Sequence, residues 1–276
     1  MRKKTLYFFL DIDLTLYSPA LGKVPDSAVK AIEQARANGS KVFLCTGRSL
    51  AEASDYLEFP VDGFVLASGA TCIAEGKCIF DHPIDPGDAE QIADLIRSLG
   101  MGLLVGGGSA AYLDEKCRAH VITYVTGGET DPAKRDAIMR ASGFLPYHER
   151  RMDDPVYKLG AGVSHGASFE PLKTQLPEPY RMNITLSSAE GDFADISDGS
   201  ITKSSGIQRI LDVYGASMKD AIGIGDSTND LDMIRSCGLG IAMGNANEEV
   251  RRAADWVTAH IDEDGIWHAF EYAGVL

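Results

Sequence analysis

The 276-residue chain carries a formal net charge of −14, so its surface is expected to repel nucleic acid and anionic membranes. Its hydrophobic content of 45% and charged content of 24% are those of an ordinary soluble globular protein. No stretch approaches the roughly 20 consecutive apolar residues of a membrane span. The length allows one large domain or two modest ones.

Cysteine usage and the first apolar run both bear on the cellular compartment. The sequence has five scattered cysteines: Cys45, Cys72, Cys78, Cys117 and Cys237. Their odd number and the lack of a C-x-x-C pair favour reduced thiols and argue against a zinc site. The apolar run that begins at Thr5 stops at Asp11, which is too short for the hydrophobic region of a signal peptide. We therefore expect a cytoplasmic protein.

The first predicted element is a strand over residues 5–10, a short run rich in aromatic residues that favours burial on both faces. Asp11 and Asp13 follow this strand directly. In open α/β sheets the carboxyl ends of the strands are where ligands bind. Two carboxylates there can hold a hard cation, act as a nucleophile with an acid/base beside it, or merely cap a turn.

The next elements repeat the same rhythm. They are a helix over residues 24–38, a strand over 41–45, a helix over 49–57 and a strand over 63–67. The second strand ends at Thr46-Gly47-Arg48. Because strand–helix–strand units cross over with the right hand into a parallel sheet, Thr46 is expected at the same edge as Asp11.

A second domain is predicted over residues 82–193, inserted between two core segments at 1–81 and 194–276. Its predicted helices lie at 87–99 and 132–141, and its strands near 101–105, 110–113, 157–163 and 181–187, which indicates an α+β insert. The run Gly106-Gly107-Gly108-Ser109 lacks the Lys-Ser/Thr ending of a phosphate loop. A turn between two strands is the better interpretation.

The first architecture resumes after the insert. A helix is predicted over 207–214, a strand over 221–225, a helix over 231–236, a strand over 239–243 and a helix over 248–254. The strand at 221–225 ends in a segment that begins with Asp226 and closes with Asp230, and Lys203 precedes the first of these helices. The core is therefore predicted to be a parallel α/β sheet with its polar residues along one edge.

The residues predicted at that edge suit phosphoryl transfer. Several carboxylates close together repel unless a divalent cation neutralises them, and oxygen ligands without histidines favour Mg²⁺. The hydroxyl of Thr46 and the ammonium of Lys203 are donors that a phosphoryl group requires.

These segments resemble the signature motifs of the haloacid dehalogenase (HAD) superfamily of phosphohydrolases. In motif order they are Asp11-Ile12-Asp13-Leu14-Thr15, Thr46-Gly47-Arg48, Lys203, and Gly225-Asp226-Ser227-Thr228-Asn229-Asp230. The insert resembles the C2 type of cap. The segments 242–246, 254–258 and 263–266 are similar to the Cof-type subgroup. The resemblance implies a Rossmann-like, HAD-like core with an inserted α+β cap domain.

The resemblance also implies roles for individual residues. Asp11 would be the nucleophile that forms an aspartyl-phosphate, and Asp13 would protonate the leaving alcohol and later activate water. Asp226 would bind Mg²⁺ together with Asp11 and the carbonyl of Asp13, and Asp230 would support or join that metal site. The phosphate-binding residues would be Thr46, Gly47, Lys203 and Asn229.

Two positions depart from the family pattern. The family often has glycine where Leu14 stands and asparagine where Ser68 stands. Neither change removes a chemical group that catalysis requires.

The leading hypothesis is a Mg²⁺-dependent phosphatase of small phosphorylated metabolites, with sugar phosphates as the expected substrates. One alternative is a phosphosugar mutase of the same superfamily. Another is a non-catalytic phospho-acceptor or phosphate-binding regulator, because response-regulator receivers also place acidic pairs, Thr and Lys around a sheet edge. The expected partner is a small phosphorylated metabolite, with no nucleic acid or membrane, and the expected assembly is a monomer or a small homo-oligomer.

Overall fold

The computed structural model of the protein describes residues 4–188 and 191–276. Its strands, in chain order, are β1 (Tyr7–Leu10), β2 (Lys41–Cys45), β3 (Gly63–Leu66), β4 (Thr71–Ala74), β5 (Lys77–Asp81), β6 (Gly102–Gly107), β7 (Ala111–Leu113), β8 (Phe144–Pro146), β9 (Val156–Val163), β10 (Tyr180–Ser188), β11 (Gly191–Asp198), β12 (Ala221–Gly225), β13 (Leu239–Ala242) and β14 (Trp256–Val257). Its helices are α1 (Asp26–Ala37), α2 (Pro86–Ser98), α3 (Glu115–Val125), α4 (Pro132–Ala141), α5 (Glu170–Lys173), α6 (Lys203–Val213), α7 (Leu231–Ser236), α8 (Glu248–Ala253) and α9 (Gly265–Tyr272).

The chain divides into two compact units. The first contains the chain up to Gly47, Phe59–Asp81 and Thr202–Leu276, and the second contains Arg48–Glu58 and His82–Ile201. The first unit holds a sheet of strand order β14-β13-β12-β1-β2-β3-β4-β5. Its strands run parallel from β14 to β3, and β4 and β5 add antiparallel pairs at one edge. The predicted α/β fold is confirmed.

Strand β1 lies in the middle of this sheet because its side chains are apolar on both faces. Phe8, Phe9 and Leu10 are fully buried. Phe9 is in register with Phe43 of β2 and stacks on it with ring centroids 5.1 Å apart. The other neighbour of β1 is β12, also parallel. The carboxyl ends of β2, β1 and β12 therefore meet side by side, with the end of β1 between the other two.

The second unit is an α+β fold around a sheet of order β10-β11-β9-β6-β7-β8. Its pairs are antiparallel except β7 with β8. Successive residues of a strand face opposite sides of the sheet. Leu103 of β6 belongs to the same hydrophobic cluster as Ile92 of α2. Leu104 belongs to a second cluster, which contains Cys117 of α3 and Met139 of α4. Helices thus cover parts of both faces, and the expected α+β insert is confirmed.

Two predictions differ from the structure: a domain boundary and a helix. β11 pairs with both β9 and β10, so the second unit continues to Ile201 and the boundary predicted at residue 193 falls inside a strand. The helix predicted over 49–57 is wrong, since that segment consists of turns with a single 3₁₀ turn at Ser54–Tyr56. The segment belongs to the second unit, although the prediction placed it in the core.

The glycine run begins at the end of β6 and continues into the predicted turn. The backbone N–H of Gly107 donates to the carbonyl oxygen of Ala110 at 2.8 Å. The Asp154 carboxylate accepts from the Ser109 hydroxyl at 2.6 Å and from its N–H at 3.0 Å. The Asp154 carboxylate thus takes the donors of Ser109 that a phosphate at this turn would need.

No helix within residues 4–188 and 191–276 is long and apolar enough to cross a membrane.

Candidate active site

Asp11 and Lys203 form a buried ion pair at the carboxyl edge of the first sheet. Asp11 follows β1, and its backbone N–H continues the ladder by donating to the carbonyl oxygen of Ile224 at 3.0 Å. Lys203 is the first residue of α6, whose N-terminus is capped by Thr202 and Ser205 through reciprocal hydrogen bonds. The Lys203 ammonium donates to Asp11 Oδ1 at 2.7 Å.

Asp230 completes the environment of that ammonium, which also donates to Asp230 Oδ1 at 2.6 Å. The second oxygen, Oδ2, accepts from the backbone N–H groups of Asp226 at 3.0 Å and Ser227 at 3.1 Å. This carboxylate folds back over Gly225, where a Cβ would lie 2.4 Å from the Asp230 Cγ. Asp230 therefore both caps its own turn and pairs with Lys203.

Three carboxylates converge here. One oxygen each from Asp11, Asp226 and Asp230 lie within 4.8 Å of one another, and all three residues are buried. Asp226 Oδ1 also accepts from the hydroxyl of Thr15 at 2.8 Å. A compact set of oxygen donors without nitrogen or sulfur ligands fits a hard divalent cation such as Mg²⁺.

Burial and mutual repulsion shift the pKa values of these groups. Burial first, and then the neighbouring acids, raise the pKa of Asp11 well above its ordinary value, against the lowering effect of Lys203. Burial, followed by the charge of Asp230, raises the pKa of Asp226 to about 7. Burial alone would lower the pKa of Lys203, but the charges of Asp11 and Asp230 raise it well above its ordinary value. The lysine is therefore a permanent cation within an acidic cluster.

Asp13 lies on the loop that follows β1, outside the group of three carboxylates, and is half-buried. It forms an isolated bridge with Tyr17. Between them, Leu14 takes the left-handed conformation, with φ 61°. Its N–H donates to the carbonyl oxygen of Tyr17 at 3.1 Å, and its carbonyl oxygen accepts from the Asn245 amide at 2.7 Å. The loop next to Asp13 is therefore held at both the N–H and the carbonyl of Leu14.

Thr46 lies at the end of β2, and Gly47 follows it as the last residue of that segment in the first unit. Thr46 is buried, its N–H donates to the carbonyl oxygen of Val65 at 2.9 Å, and its own carbonyl accepts from the N–H of Ser68 at 2.9 Å. Since β2 neighbours β1 in parallel, Thr46 emerges at the same sheet edge as Asp11.

Asn229 lies in the 3₁₀ turn Thr228–Asp230, where its Oδ1 accepts from the hydroxyl of Ser227 at 2.7 Å. Arg48 belongs to the second unit, where its guanidinium donates to the carbonyl oxygen of Glu52 at 3.1 Å. The structure thus assigns Arg48 an intramolecular contact in the segment after the second motif.

Two further residues contribute to the site, and the sequence prediction did not assign them. Thr15 orients Asp226, and Asn245 ties the carbonyl of Leu14 to the backbone N–H of Ile261, which the Asn245 Oδ1 accepts at 3.0 Å. Both lie inside segments that carry the family resemblance. Their position in those segments was the only sequence signal for a role in the site. Their partners could not be read locally, because Thr15 lies 211 residues from Asp226 and Asn245 lies 231 residues from Leu14.

The model of the haloacid dehalogenase-like hydrolase family matches residues 8–270. The chain belongs to this family. A solved structure of a HAD subclass IIB sugar phosphatase is 26% identical to it, covers 99% of this chain and 100% of its own, and superposes with a TM-score of 0.78.

Two curated relatives from Bacillus subtilis strain 168 match over nearly their full lengths. YkrA is 27% identical over 271 residues, covering 97% of each chain. The phosphatase YwpJ is 24% identical over 287 residues, covering 95% of this chain and 98% of its own. The predicted superfamily and the predicted enzyme class are confirmed: this HAD-family chain is a phosphatase.

Proposed function

We propose that this protein is a Mg²⁺-dependent phosphatase of small phosphorylated metabolites, with sugar phosphates as the substrate class, and that Asp11 forms an aspartyl-phosphate. The observation that carries the proposal is the buried contact of 2.7 Å between Asp11 Oδ1 and the Lys203 ammonium, next to Asp226 and Asp230. Similarity to a sugar phosphatase supports the substrate class.

In the first step, a carboxylate oxygen of Asp11 attacks phosphorus and forms the O–P bond while the ester O–P bond breaks. Asp13 gives its proton to the departing alcohol oxygen. In the second step, Asp13 takes a proton from water, whose oxygen attacks the same phosphorus. Inorganic phosphate leaves, and the Asp11 carboxylate is restored.

The other proposed site residues stabilise negative charge. Lys203, Thr46, Gly47 and Asn229 would hold phosphoryl oxygens, with Lys203 the buried cation among them. Asp11, Asp226, Asp230 and the Asp13 carbonyl would hold Mg²⁺, whose charge would offset that of the carboxylates and the phosphoryl group. The oxygen-only donor set supports this choice of ion.

The residues at 82–201, with Arg48–Glu58, are proposed to be the C2 cap, which would select substrates by their leaving groups.

Five free cysteines, of which four are buried, support a reducing compartment, and we propose the cytoplasm. The proposed assembly is a monomer or small homo-oligomer. The net charge of −14 on each chain argues against nucleic acid or a membrane as the partner, and we propose a small metabolite.

The nucleophile is tested with Asp11→Asn, which removes the attacking oxygen at almost constant volume. We expect loss of turnover on p-nitrophenyl phosphate with the circular dichroism spectrum retained. If the variant keeps more than a few per cent of wild-type turnover (roughly 2 kcal/mol of barrier), the aspartyl-phosphate mechanism is wrong.

The general acid is tested with Asp13→Asn. Because aryl oxygens leave without protonation, its turnover should fall much less on aryl phosphates than on alkyl or sugar phosphates. Equal losses on both kinds of ester would reject Asp13 as the acid. Transfer of a labelled phosphoryl group to a sugar monophosphate, giving a bisphosphorylated sugar instead of free phosphate, would indicate a mutase.

A further inference from the structure

Lys158 and Glu52 form a buried ion pair within the second unit. The Lys158 ammonium nitrogen lies 3.1 Å from Glu52 Oε1 and 3.3 Å from Asp195 Oδ1. Lys158 is 7% exposed and Glu52 is 8% exposed. Two carboxylates thus share one ammonium in a place that water hardly reaches.

Stability alone gives little reason for such a group. Each ion loses several kcal/mol on leaving water, and well-packed apolar residues of equal size are often as stable. Burial lowers the pKa of Lys158, but the charges of Asp195 and Glu52 raise it above its ordinary value. The lysine is therefore charged, and the group is better explained by what it fixes in place.

Glu52 fixes the start of the segment that follows Gly47. Its Oε2 accepts from the backbone N–H of Ser49 at 2.8 Å, and its carbonyl oxygen accepts from Arg48 at 3.1 Å. Ser49 is only two residues beyond Gly47. Few rotatable bonds therefore separate the Glu52 carboxylate from the proposed phosphate-binding residues.

The same segment also packs closely against Gly143. Gly143 has φ +81°, and a Cβ at this position would lie 2.7 Å from the carbonyl oxygen of Ala51. The backbone at Ala51 can approach Gly143 this closely because glycine has no side chain. Lys158 on β9 therefore anchors Glu52, and Gly143 just before β8 packs against the preceding residue of the segment.

We propose that Lys158 is a positioning residue which, through Glu52, sets the conformation of the backbone that follows Thr46 and Gly47 and so tunes phosphate binding. The inference rests on the proposed function, since it takes Thr46 and Gly47 as phosphate contacts. Lys158 itself does not touch the substrate, because its ammonium is enclosed by the two carboxylates.

Full-length Lys158→Met and Glu52→Gln variants test the proposal. We expect each to raise the Ki of inorganic phosphate and the KM for p-nitrophenyl phosphate by roughly ten- to a hundredfold, as a misplaced contact does. The double variant should be no worse than the more affected single variant, because both break the same link. Lys158→Arg, which keeps the charge, should restore part of the affinity.

Arg150→Met is the matched control. Arg150 is another cation of the second unit with a buried side chain, and it lies 2.8 Å from Glu90. Its removal should lower the thermal midpoint without changing the Ki of phosphate. If Lys158→Met and Glu52→Gln likewise lower only the midpoint, the pair is merely structural and the proposal is overturned. Should Lys158→Met not fold, Glu52→Gln, which conserves volume, decides by the same criterion.

Thr46→Ala separates this inference from the proposed function. If Thr46→Ala weakens phosphate binding, measured by calorimetry, but Glu52→Gln and Lys158→Met do not, only the positioning role fails. If Thr46→Ala leaves the affinity unchanged, the proposed phosphate site is wrong and the inference falls with it. Weakened binding in all three variants is the expected result.

Discussion

The Thr15 hydroxyl donates to Asp226 Oδ1 at 2.8 Å, joining the first and fourth motifs across 211 residues of sequence. Thr15 is fully buried and Asp226 is nearly so. A buried hydrogen bond of this kind fixes the rotation of a carboxylate, because turning the group would leave the hydroxyl unpaired. Thr15 therefore presents Asp226 to the proposed metal site in one orientation.

Removing this hydrogen bond should weaken metal binding. Thr15→Val keeps the shape of the side chain but loses the donor, and we expect Mg²⁺ affinity measured by calorimetry to fall roughly 10- to 100-fold. Thr15→Ser keeps the hydroxyl and serves as the control, with affinity close to wild type. Equal affinities in the Val and Ser variants would show that Thr15 does not orient Asp226.

Metal removal should make stability depend on pH in a defined direction. The pKa of Asp226 is raised from 3.8 to about 7 in the folded protein, so the folded state binds a proton that the unfolded state releases. The associated stability is fully present below pH 3.8 and is lost as pH rises through 7. Metal-free protein should therefore lose stability over this range.

Added Mg²⁺ competes with that proton and relieves the repulsion among the carboxylates. We expect Mg²⁺ to raise the thermal midpoint more at pH 8 than at pH 5.5, relative to protein in EDTA. Asp226→Asn should reduce the difference between the two pH values. A Mg²⁺ effect of the same size at both pH values would contradict this account of the acidic cluster.

The sequence predicted the strands that carry the site because their signal is local. β2 and β12 have the predicted bounds, since each is a short apolar run that ends at a polar tip. The order of strands and helices along the chain then places their carboxyl ends together by the crossover rule. The sequence alone therefore predicts that Asp11 and Asp226 lie close together.

The segment 49–57 could not be predicted in this way. Its sequence suits a helix, and the contact from the Ser49 N–H to the Glu52 carboxylate is one that also occurs at helix starts. The Glu52 carboxylate is, however, paired with Lys158, more than 100 residues away. The boundary at residue 193 failed for a related reason, since β11 is defined by strand partners elsewhere in the chain. Such partners leave no local pattern.

Both departures from the family pattern, Leu14 and Ser68, lie in the left-handed region, with φ 61° and 55°. Glycine and asparagine tolerate this conformation best, whereas other residues lose about 1–2 kcal/mol. Leu14 is 44% exposed, so its replacement loses only part of the buried surface that a core leucine would lose. Leu14→Gly should raise the free energy of unfolding by about 0.5–1 kcal/mol, and Ser68→Asn should raise it by less.

Urea denaturation measures this change, with Leu21→Gly as the matched control. Leu21 is 51% exposed but does not have a positive φ, so glycine there should lower stability by about 0.5–1 kcal/mol through chain entropy. A loss of stability in Leu14→Gly equal to that in Leu21→Gly would show that Leu14 is not strained.

Asp62 offers a test of stability away from the proposed chemistry. It precedes β3 at the amino edge of the sheet, opposite to Asp11, and accepts hydrogen bonds from Arg36 at 2.9 Å, Lys41 at 3.1 Å and the N–H of Val42 at 3.0 Å. Burial raises its pKa, but these hydrogen bonds outweigh burial and hold the pKa below the ordinary 3.8. Its contribution to stability is thus present above about pH 4 and is lost as pH falls through the lowered pKa.

Asp62→Asn should therefore lower the free energy of unfolding by about 1–3 kcal/mol at pH 7, and the difference from wild type should shrink below pH 4. Turnover should be unchanged in the folded variant, because the substitution lies at the far edge of the sheet. Asp26→Asn is the control, since that carboxylate is exposed and forms a surface ion pair with Lys23 three residues earlier, and it should leave the urea midpoint within error at pH 7. A loss for Asp62→Asn that persists unchanged at pH 3 would mean that packing, and not the charge, accounts for the effect.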